Sequence, residues 1–396
     1  MVGPHAQRTR GLRRGRVGAR LTVGALLAAA AVAGCGGTSS SSSSPATATS
    51  SDAASTTTSA SSSGVSQYSA LAQKYEAPNT TWPGPTTGPK AQPGKTVMMI
   101  TCSFAVEGCK LPADTVPALE KAIGWKIDVV DGQSSPQVYD NSIQTAINQH
   151  MNGIVLIGIA SSLVANELKK AREAGLVVAS WDSANTPSPD GVNINVDAPG
   201  ELQGQVLASY LIAQTNGHTD AYVVNDPEFN AVIAWVKGAT QTLQNCSTCR
   251  IVQSTTIAAA DLATTVPGQF VQTLRQNPQI NVVVAPYNAA ILAVIPAMES
   301  AGVLSRVKMG TFSAITAGFT FLHENKLDAL IAEPHQWGTW AAFDEMNRVF
   351  AHQPQVLENV PIRLFTSANP GSLPTGGDWE GDVNYQQYFE KIWSGS

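Results

Sequence analysis

The stretch GIVLIGIASSLVANELKKAREAGLVVASWD, residues 153–182, contains one complete strand–helix–strand unit. Two short apolar runs, at 153–157 and 176–180, are typical of strands that are buried on both faces. The segment between them carries the apolar stripe of a helix packed on a sheet, at Leu163, Val164, Leu168 and Ala171. A unit of this kind predicts two parallel strands joined by a helix.

The same alternation continues through most of the chain. Further apolar runs of strand length lie at 96–100, 126–130, 221–225, 251–255, 281–285, 307–311 and 329–332. Segments with helical spacing lie at 136–150, 161–174, 201–214, 229–244, 262–276 and 289–301. Strands that alternate with helices every 25–30 residues or so indicate parallel sheets. The predicted fold class is therefore α/β, with two doubly wound parallel-sheet lobes, because the series is too long and too even for one lobe.

The first 34 residues have the composition of an export signal. Six arginines and no acidic residue precede an apolar run at 21–33, which is shorter than the roughly 20 residues of a membrane-spanning helix. The ending Val32-Ala33-Gly34-Cys35 resembles a bacterial lipobox, in which the cysteine is acylated and becomes the first residue. We expect a lipoprotein signal peptide at 1–34 and a palmitate-bearing membrane anchor at Cys35. A plain secretory signal or a membrane anchor segment is the alternative.

The segment 35–94 is predicted to be a stalk. Ser, Thr and Ala dominate 38–66, and such a tract buries too little apolar surface to offset its ordering entropy. The Pro/Gly-rich part at 78–94, with Trp82-Pro83-Gly84-Pro85, is expected to be stiffer and more extended. The remaining chain, roughly 300 residues, is long enough for two domains with full cores.

The charge of the exported chain argues against one class of partner. Loss of residues 1–34 removes six arginines and changes the net charge from −5 to −11. No basic patch of the kind that binds a phosphate backbone remains in the sequence. We therefore expect no nucleic acid partner.

Four cysteines remain beside Cys35, and they form two close pairs. Cys102 and Cys109 lie seven residues apart, and Cys246 and Cys249 form a CxxC motif. In an exported protein, nearby pairs favour structural disulfides. A thioredoxin-like redox site or half of a zinc site is the alternative for the CxxC. A redox CxxC opens a helix after a strand, whereas this one follows a predicted helix end, and no second ligand pair is present.

Five segments, in a fixed order, carry a resemblance to a known family. They are Val177-Val178-Ala179-Ser180-Trp181-Asp182, Val192-Asn193-Ile194-Asn195-Val196-Asp197, Val283-Val284-Ala285-Pro286-Tyr287-Asn288, Ile331-Ala332-Glu333-Pro334-His335-Gln336 and the aromatic stretch 385–393. In turn they resemble a strand ending in a ligand-binding aspartate, a first crossing between lobes, a strand end with a polar ligand contact, a second crossing and a final aromatic helix. On these segments the body, about residues 95–365, resembles the periplasmic binding proteins of the sugar-binding (ribose- and galactose-type) class, the solute receptors of ABC importers.

This resemblance implies an organisation in domains. The signal peptide at 1–34 and the stalk at 35–94 precede lobe 1 (95–196 plus 334–361), lobe 2 (197–333 plus 362–368) and a C-terminal tail with a final aromatic helix (369–396). The hinge is expected near 195–197, 331–334 and 360–362, and the ligand cleft lies between the lobes.

The resemblance also implies a function without catalysis. A small organic ligand, a sugar or a related cyclic compound, bridges the lobes, favours the closed form and is delivered to an ABC transporter permease. We expect a lipid-anchored monomer on the outer face of the cell membrane, with no cofactor and no metal.

Ligand contacts in lobe 1 are expected just after strand ends, because ligands of open α/β sheets bind outside the carboxyl ends of the strands. Phe104 follows the first strand and is expected to stack on a ligand ring, the alternative being that it plugs the lobe. Asp182 is expected to accept hydroxyl hydrogen bonds with Trp181 packed beside it. Asp182 could instead cap the following turn.

Lobe 2 departs from the sugar-binding pattern. Where such receptors place an arginine, an Asn or Asp pair and an aspartate, this chain has Trp235, Tyr287-Asn288 and Phe312. Aromatic walls would favour a less hydroxylated ligand or the stacking of sugar faces on the rings. The alternative is a shifted register with these rings in the core. Glu333, at the second crossing, is expected to contribute a hydrogen bond or to lock the hinge.

Other classes of protein find less support in the sequence. The chain lacks GxSxG, HExxH, Walker A and strand-linked GxGxxG motifs, and its six histidines include no pair at metal-ligand spacing. An extracellular hydrolase with an unmarked acidic pair is an open alternative. A sensory receptor that presents its solute to a membrane kinase or chemoreceptor is another. A repressor with this core would need an N-terminal DNA-binding segment, where this chain has its signal and stalk.

Overall fold

The computed structural model describes residues 59–374 and 378–395. The predicted signal peptide, Cys35 and the first part of the predicted stalk lie outside the described residues. The described residues all belong to one compact unit. Within it, two separate α/β sheets define two lobes, as the sequence pattern predicts.

The first sheet is wholly parallel and has the order β2-β1-β3-β4-β5. Its strands are β1 (Thr96–Thr101), β2 (Lys126–Asp131), β3 (Gly153–Ile157), β4 (Val177–Trp181) and β5 (Ile194–Val196). Every residue of β3 and β4 is buried, which explains their unbroken apolar sequences. Val155 of β3 lies in register with Met99 of β1 and Ala179 of β4.

The second sheet repeats this order with one addition, β7-β6-β8-β9-β10-β11. Its strands are β6 (Asp220–Asn225), β7 (Arg250–Thr256), β8 (Val282–Val284), β9 (Lys308–Thr311), β10 (Ala329–Ala332) and β11 (Arg363–Thr366). β11 pairs antiparallel with β10 and closes that edge. The sequence pattern did not predict β11, because a four-residue strand that begins with Arg363 has no distinctive apolar run.

Twelve α-helices accompany the sheets within the described part of the chain. They are α1 (Ser59–Glu76), α2 (Glu107–Asp114), α3 (Val116–Ile123), α4 (Pro136–Asn148), α5 (Ala165–Glu173), α6 (Gly200–Gln214), α7 (Asn230–Asn245), α8 (Val266–Gln276), α9 (Asn288–Ser300), α10 (Thr316–His323), α11 (His335–Phe350) and α12 (Tyr385–Ser394). None of the helices in 59–374 and 378–395 combines the length and apolar character that crossing a membrane requires.

The chain passes between the two sheets at three places. It leaves β5 and enters α6, which packs on β9 and β10 of the second sheet. It returns after β10 through α11, which packs on β4 and β5 of the first sheet. The segment after α11 leads back to β11 in the second sheet. α11 is buried along almost its whole length, so it forms the central support of the first lobe.

Residues 59–94 differ from the predicted stalk. α1 packs on β11 and on α6, whose residues 206–212 are all buried, so α1 covers part of that helix. The segment after α1 is held by side chains of α11. The amide of Asn347 donates to Pro89 O at 3.1 Å, and Arg348 Nη2 donates to Thr87 O at 2.8 Å. This part of the chain is therefore a layer of the folded body.

The final helix also belongs to the body. In α12, Phe389 and Trp393 are buried, and the Trp393 ring stacks on Trp340 of α11 with centroids 5.3 Å apart. Trp393 Nε1 donates to Asp344 Oδ1 at 2.7 Å. The aromatic residues of the predicted C-terminal tail thus serve to seal the first lobe.

Candidate functional site

A cavity lies between the lobes at the carboxyl ends of strands from both sheets. Its volume is about 50 Å³. The first lobe contributes Gly108, Cys109, Gly158 and Asp182, and the second contributes Phe229, Trp235, Tyr287, Asn288 and Ser313. In each sheet the chain runs from the first strand to one neighbour and then crosses to the other side, so the strand order reverses between β1 and β3 and between β6 and β8. Ligands of open α/β sheets bind at such a switch point.

Asp182 on the lobe 1 side of this cavity belongs to a cluster of three carboxyl groups, the other two being Glu333 and Asp197. Burial, together with the charges of Glu333 and Asp197, raises the pKa of Asp182 well above its ordinary value. Burial also raises the pKa of Glu333 to about 7, although Gln203 Nε2 donates to Glu333 Oε2 at 2.9 Å. Asp182 and Glu333 are close enough to share a proton by a hydrogen bond.

Asp197 belongs to this cluster but has more partners. Its Oδ1 accepts from the backbone N–H groups of Ser183 at 3.0 Å and Ala184 at 3.2 Å, and Asn195 donates to its Oδ2. Burial raises the pKa of Asp197, while these hydrogen bonds oppose the increase. The cluster is therefore built from the turn after β4, the first crossing and the end of β10.

His335, the first residue of α11, lies beside the same cluster. Its side chain is fully buried, and burial lowers its pKa to about 4, so the imidazole is neutral at physiological pH. His335 Nε2 lies 3.2 Å from Ser313 Oγ, which lines the cavity. The histidine thus joins lobe 2 to the hinge without adding charge.

The lobe 2 side of the cavity is aromatic. Tyr287 donates its hydroxyl to Asp226 Oδ2 at 2.8 Å, and Phe229 packs edge-on against the Tyr287 ring. Burial and the charge of Asp226 raise the pKa of Tyr287, so its hydroxyl stays protonated as a donor. Trp235 stacks on Phe312 with ring centroids 5.5 Å apart. These contacts hold the rings in place at the cavity wall.

Asn288 adds an unsatisfied polar group to the cavity. It is fully buried, and neither atom of its amide has a hydrogen-bond partner within 59–374 and 378–395. Its side chain lies over Gly318, where a Cβ atom would come 1.9 Å from Asn288 Nδ2. A buried amide without partners is costly, so this position suits a polar ligand atom.

A larger groove of about 690 Å³ lies elsewhere, beside the hinge. It is lined by the crossings and by the end of α1, for example Tyr75, Asn195 and Val360. It does not adjoin the carboxyl ends at the switch points. We therefore take the smaller cavity, which is lined by residues of both lobes, as the candidate functional site.

Comparison with known proteins agrees with this geometry. Residues 111–352 match the model of a family described as the periplasmic binding protein domain. The chain belongs to the periplasmic binding protein family.

Solved structures of similar fold include three binding proteins, each covered almost completely by the match. The arabinose-transporter component from Shewanella sp. ANA-3, bound to L-arabinofuranose, is 17% identical, with a TM-score of 0.63 over 70% of this chain and 94% of its own. The Caulobacter myo-inositol binding protein is also 17% identical, with a TM-score of 0.63 over 70% and 95%. A galactofuranose binding protein is 15% identical, with a TM-score of 0.61 over 76% and 99%. At such identities the likeness establishes the fold.

In this periplasmic binding protein, four of the eight predicted ligand residues line the cavity. They are Asp182, Trp235, Tyr287 and Asn288. Glu333 lies directly behind Asp182, and Phe312 lies behind Trp235 as the wall on which that ring stacks. Phe312 is completely buried, which fits the alternative of a core ring.

Two predicted contacts differ from the structure. Trp181 is completely buried under α11, where its ring lies against Gly338, because β4 alternates its side chains between the two faces of the sheet. Phe104 is 38% exposed and does not line the cavity. Its backbone N–H donates to Asp131 Oδ1 at 2.9 Å, which holds the loop after β1 to the end of β2.

Sequence reasoning also missed residues of the site. Asp226 and Ser313 follow β6 and β9, so the strand-end rule used for Asp182 identifies them once the strands are placed. Phe229 is the N-cap residue of α7. His335 follows a crossing, and no local sequence signal shows that it turns towards Ser313.

The cysteine pairs have the spacing of disulfides. The Cα atoms of Cys102 and Cys109 are 5.7 Å apart, and those of Cys246 and Cys249 are 5.3 Å apart. Both distances lie within the range that a disulfide spans. Cys109 lines the cavity, whereas Cys246 and Cys249 lie at the far end of α7.

Proposed function

We propose that this chain is an extracytoplasmic solute-binding lipoprotein that captures a sugar or related cyclic compound between its lobes and delivers it to an ABC transporter permease. The observation that carries the proposal is the cavity at the two switch points, with Asp182 on one side and Trp235, Tyr287 and Asn288 on the other. A receptor of this kind binds its solute without chemical change and needs no catalytic residue.

The chemistry of the lining supports a ring-shaped solute with hydroxyl groups. The carboxyl of Asp182 and the free amide of Asn288 suit polar ligand atoms, while the rings of Trp235 and Phe229 suit an apolar ring face. The similar structures are described as proteins that bind arabinofuranose, myo-inositol and galactofuranose, all of which are hydroxylated rings.

The size of the cavity supports a closing motion. Ligand pockets usually have volumes of about 300–1,000 Å³, whereas this one has about 50 Å³. A solute therefore needs the lobes to part before it enters. We infer an opening about the three crossings, and a solute that contacts both lobes then favours the closed form by its differential affinity.

A thermal-shift screen tests the proposal. The chain from residue 55 on contains the whole compact unit of the described residues. It is screened against pentoses, hexoses, sugars that adopt furanose rings, and inositols. A ligand present at about 100 times its Kd stabilises a folded protein by roughly 2.7 kcal/mol, which raises Tm by several degrees. We expect such a rise with wild type and its loss in Asp182→Asn. No rise with any compound, or an undiminished rise in Asp182→Asn, counts against the proposal.

We also propose the anchor and the disulfides that the sequence predicts. Palmitate labelling of cells that express the full chain should mark the wild type and spare Cys35→Ala. Mass analysis after alkylation without reductant should show Cys102, Cys109, Cys246 and Cys249 unmodified. Labelled Cys35→Ala would exclude the anchor, and alkylated cysteines would exclude the bridges.

A further inference from the structure

Three potential metal ligands meet beside the solute cavity. Asp182 follows β4, Glu333 follows β10, and His335 begins α11. One ligand atom from each lies within 4.8 Å of the others. Asp182 lies about 150 positions before Glu333 and His335 in sequence, so the spacing of histidines and carboxylates gives no indication of a site.

The cluster lacks a positive partner. Asp182, Glu333 and the neighbouring Asp197 make no ion pair with any Lys or Arg of residues 59–374 and 378–395. Buried carboxylates are normally paired with a positive group or coordinate a metal. The cluster therefore has an excess of acceptor groups and of potential negative charge.

Two buried atoms of the cluster are also without ordinary partners. Glu333 is 1% exposed, and no amide N–H or alcohol hydroxyl of the described residues donates to its Oε1, so the carboxyl of Asp182 is its one hydrogen-bonding neighbour besides Gln203 within that part of the chain. The Nδ1 atom of His335, which is 0% exposed, has no partner there either. The other polar side-chain atom of each of these two residues has a partner. Gln203 Nε2 donates to Glu333 Oε2, and Ser313 Oγ lies 3.2 Å from His335 Nε2.

We propose that Asp182, Glu333 and His335 form a divalent transition-metal site at the floor of the cleft. Two carboxylates and one imidazole are a donor set that suits Zn²⁺ or Mn²⁺. Gln203 and Ser313 would orient the ligands from behind, as outer hydrogen bonds do in metal sites. A site with three protein ligands keeps positions for solvent or solute oxygen atoms. Only this last role, contact with the solute, rests on the proposed function.

A second acidic cluster provides a matched control. Asp344, Glu345 and Glu358 also bring ligand atoms within 4.8 Å of one another. Here, however, Arg348 Nε contacts Asp344 Oδ2 at 2.8 Å and Glu345 Oε1 at 3.4 Å, so a cation is already present. Glu358→Gln therefore removes a buried carboxyl of similar type without touching the proposed site.

Calorimetric titration with the metal alone tests the proposal. The chain from residue 55 on is treated with chelator, dialysed and titrated with ZnCl₂ or MnCl₂. We expect one site per chain in wild type and in Glu358→Gln, and affinity at least tenfold weaker in both Glu333→Gln and His335→Gln. Far-UV circular dichroism and Tm of each variant establish that it is folded. The two independent variants keep the test valid if one of them fails to fold.

Three results would overturn the metal site. The first is that the wild type binds neither metal, and the second is that Glu358→Gln loses binding. The third is that both Glu333→Gln and His335→Gln bind metal as the wild type does. None of them bears on the proposed function, which the sugar screen in metal-free buffer tests separately. Conversely, if the chain binds metal but responds to no sugar, the metal site stands and the proposed contact between the metal and a solute is excluded.

Discussion

At the scale of single residues, the buried hydrogen bond between Tyr287 and Asp226 is the clearest energetic feature of the cleft. Asp226 is fully buried and accepts from the Tyr287 hydroxyl and from the backbone N–H of Glu228. Burial raises the pKa of Asp226, and the Tyr287 hydrogen bond partly offsets this by stabilising the charged form. Loss of the hydroxyl leaves a buried carboxylate with one donor fewer.

Tyr287→Phe should therefore destabilise the protein by about 1–3 kcal/mol, the usual effect of leaving a buried polar group unsatisfied. Urea denaturation of the chain from residue 55 on measures the change. Tyr222→Phe is the matched control, because its hydroxyl contacts the neutral Thr255 hydroxyl at 2.8 Å, away from the cleft. Equal losses in the two variants would show that the carboxylate of Asp226 does not depend on Tyr287.

Glu380 gives a prediction for the pH dependence of stability. Its Oε2 accepts from the backbone N–H groups of Gln336 at 2.9 Å and Trp337 at 3.3 Å, in the first turn of α11. Burial nevertheless raises its pKa to about 8. Its folded pKa thus lies above the unfolded value, so the folded chain holds a proton that the unfolded chain has lost. Stability from this group is complete below about pH 4.5 and decreases as the pH rises to about 8.

Glu380→Gln should flatten that decline, because glutamine accepts the same two hydrogen bonds and does not titrate. The measurement is Tm at pH 5 and pH 9 for both chains. We expect a smaller difference in the variant, mainly through a higher Tm at pH 9. An identical difference in both chains would show that Glu380 is already charged in the folded protein at pH 5.

Some site residues could be predicted from the sequence and others could not. Asp182 and Asn288 follow strands whose apolar runs are unmistakable, so their place at the cavity followed from the topology. Trp181, one position earlier, points to the other face of its sheet, and only the exact register of β4 decides this. The approach of His335 to Glu333 and Ser313 depends on the angle at which α11 leaves β10, which no local pattern encodes.

At the scale of elements, the contact between α11 and β4 depends on one small residue. A Cβ atom at Gly338 would lie 2.2 Å from the Trp181 ring. Glycine in a helix interior costs about 1 kcal/mol relative to alanine. The helix accepts this cost because the indole occupies the space that a side chain would need.

Gly338→Ala should therefore destabilise the protein by about 1–3 kcal/mol, since overpacking outweighs the gain in helix propensity. Gly268→Ala in α8 is the control, because no atom lies within 4 Å of its added Cβ. That variant should be neutral or stabilised by up to about 1 kcal/mol. Thermal unfolding compares the two, and a stabilised Gly338→Ala would contradict the packing described for Trp181.

The regular elements were predictable because their apolar runs and stripes are long. Nine of the eleven strands in the described residues lie close to their predicted positions, and the exceptions are β5, whose sequence is interpreted as a crossing, and β11, which has no distinctive apolar run. α1 was missed for a different reason. Its sequence is rich in serine and has little apolar periodicity, so it is stabilised by packing on α6 and β11 and not by its own propensity.

At the scale of the whole molecule, the N-terminal segment joins both lobes. α1 packs on lobe 2, while the Trp82 ring stacks between Trp337 and Tyr388 on the lobe 1 side, at centroid distances of 5.0 and 4.2 Å. Between these contacts, the Asn79 N–H donates to Asp382 Oδ2 at 2.8 Å. A soluble fragment that begins at residue 95 would lack this layer.

Trp82→Ala should lower the unfolding free energy by about 2–4 kcal/mol, somewhat less than a fully buried tryptophan, because its ring is only half-buried. Leu357→Ala is the control, since Leu357 is 81% exposed and should change stability by less than about 0.5 kcal/mol. Urea denaturation measures both. If Trp82→Ala behaved like Leu357→Ala, the segment 59–94 would be a stalk as the sequence first suggested.

The central claim is that one solute contacts both lobes. Its most direct test is calorimetric titration of the compound that the screen identifies into wild type, Asp182→Asn and Trp235→Ala, which alter opposite walls of one cavity. We predict that each variant weakens binding by at least tenfold, about 1.4 kcal/mol, while Tyr222→Phe leaves it unchanged. The account would be contradicted if only one of the two variants, Asp182→Asn or Trp235→Ala, lost affinity while the other bound the compound as the wild type does.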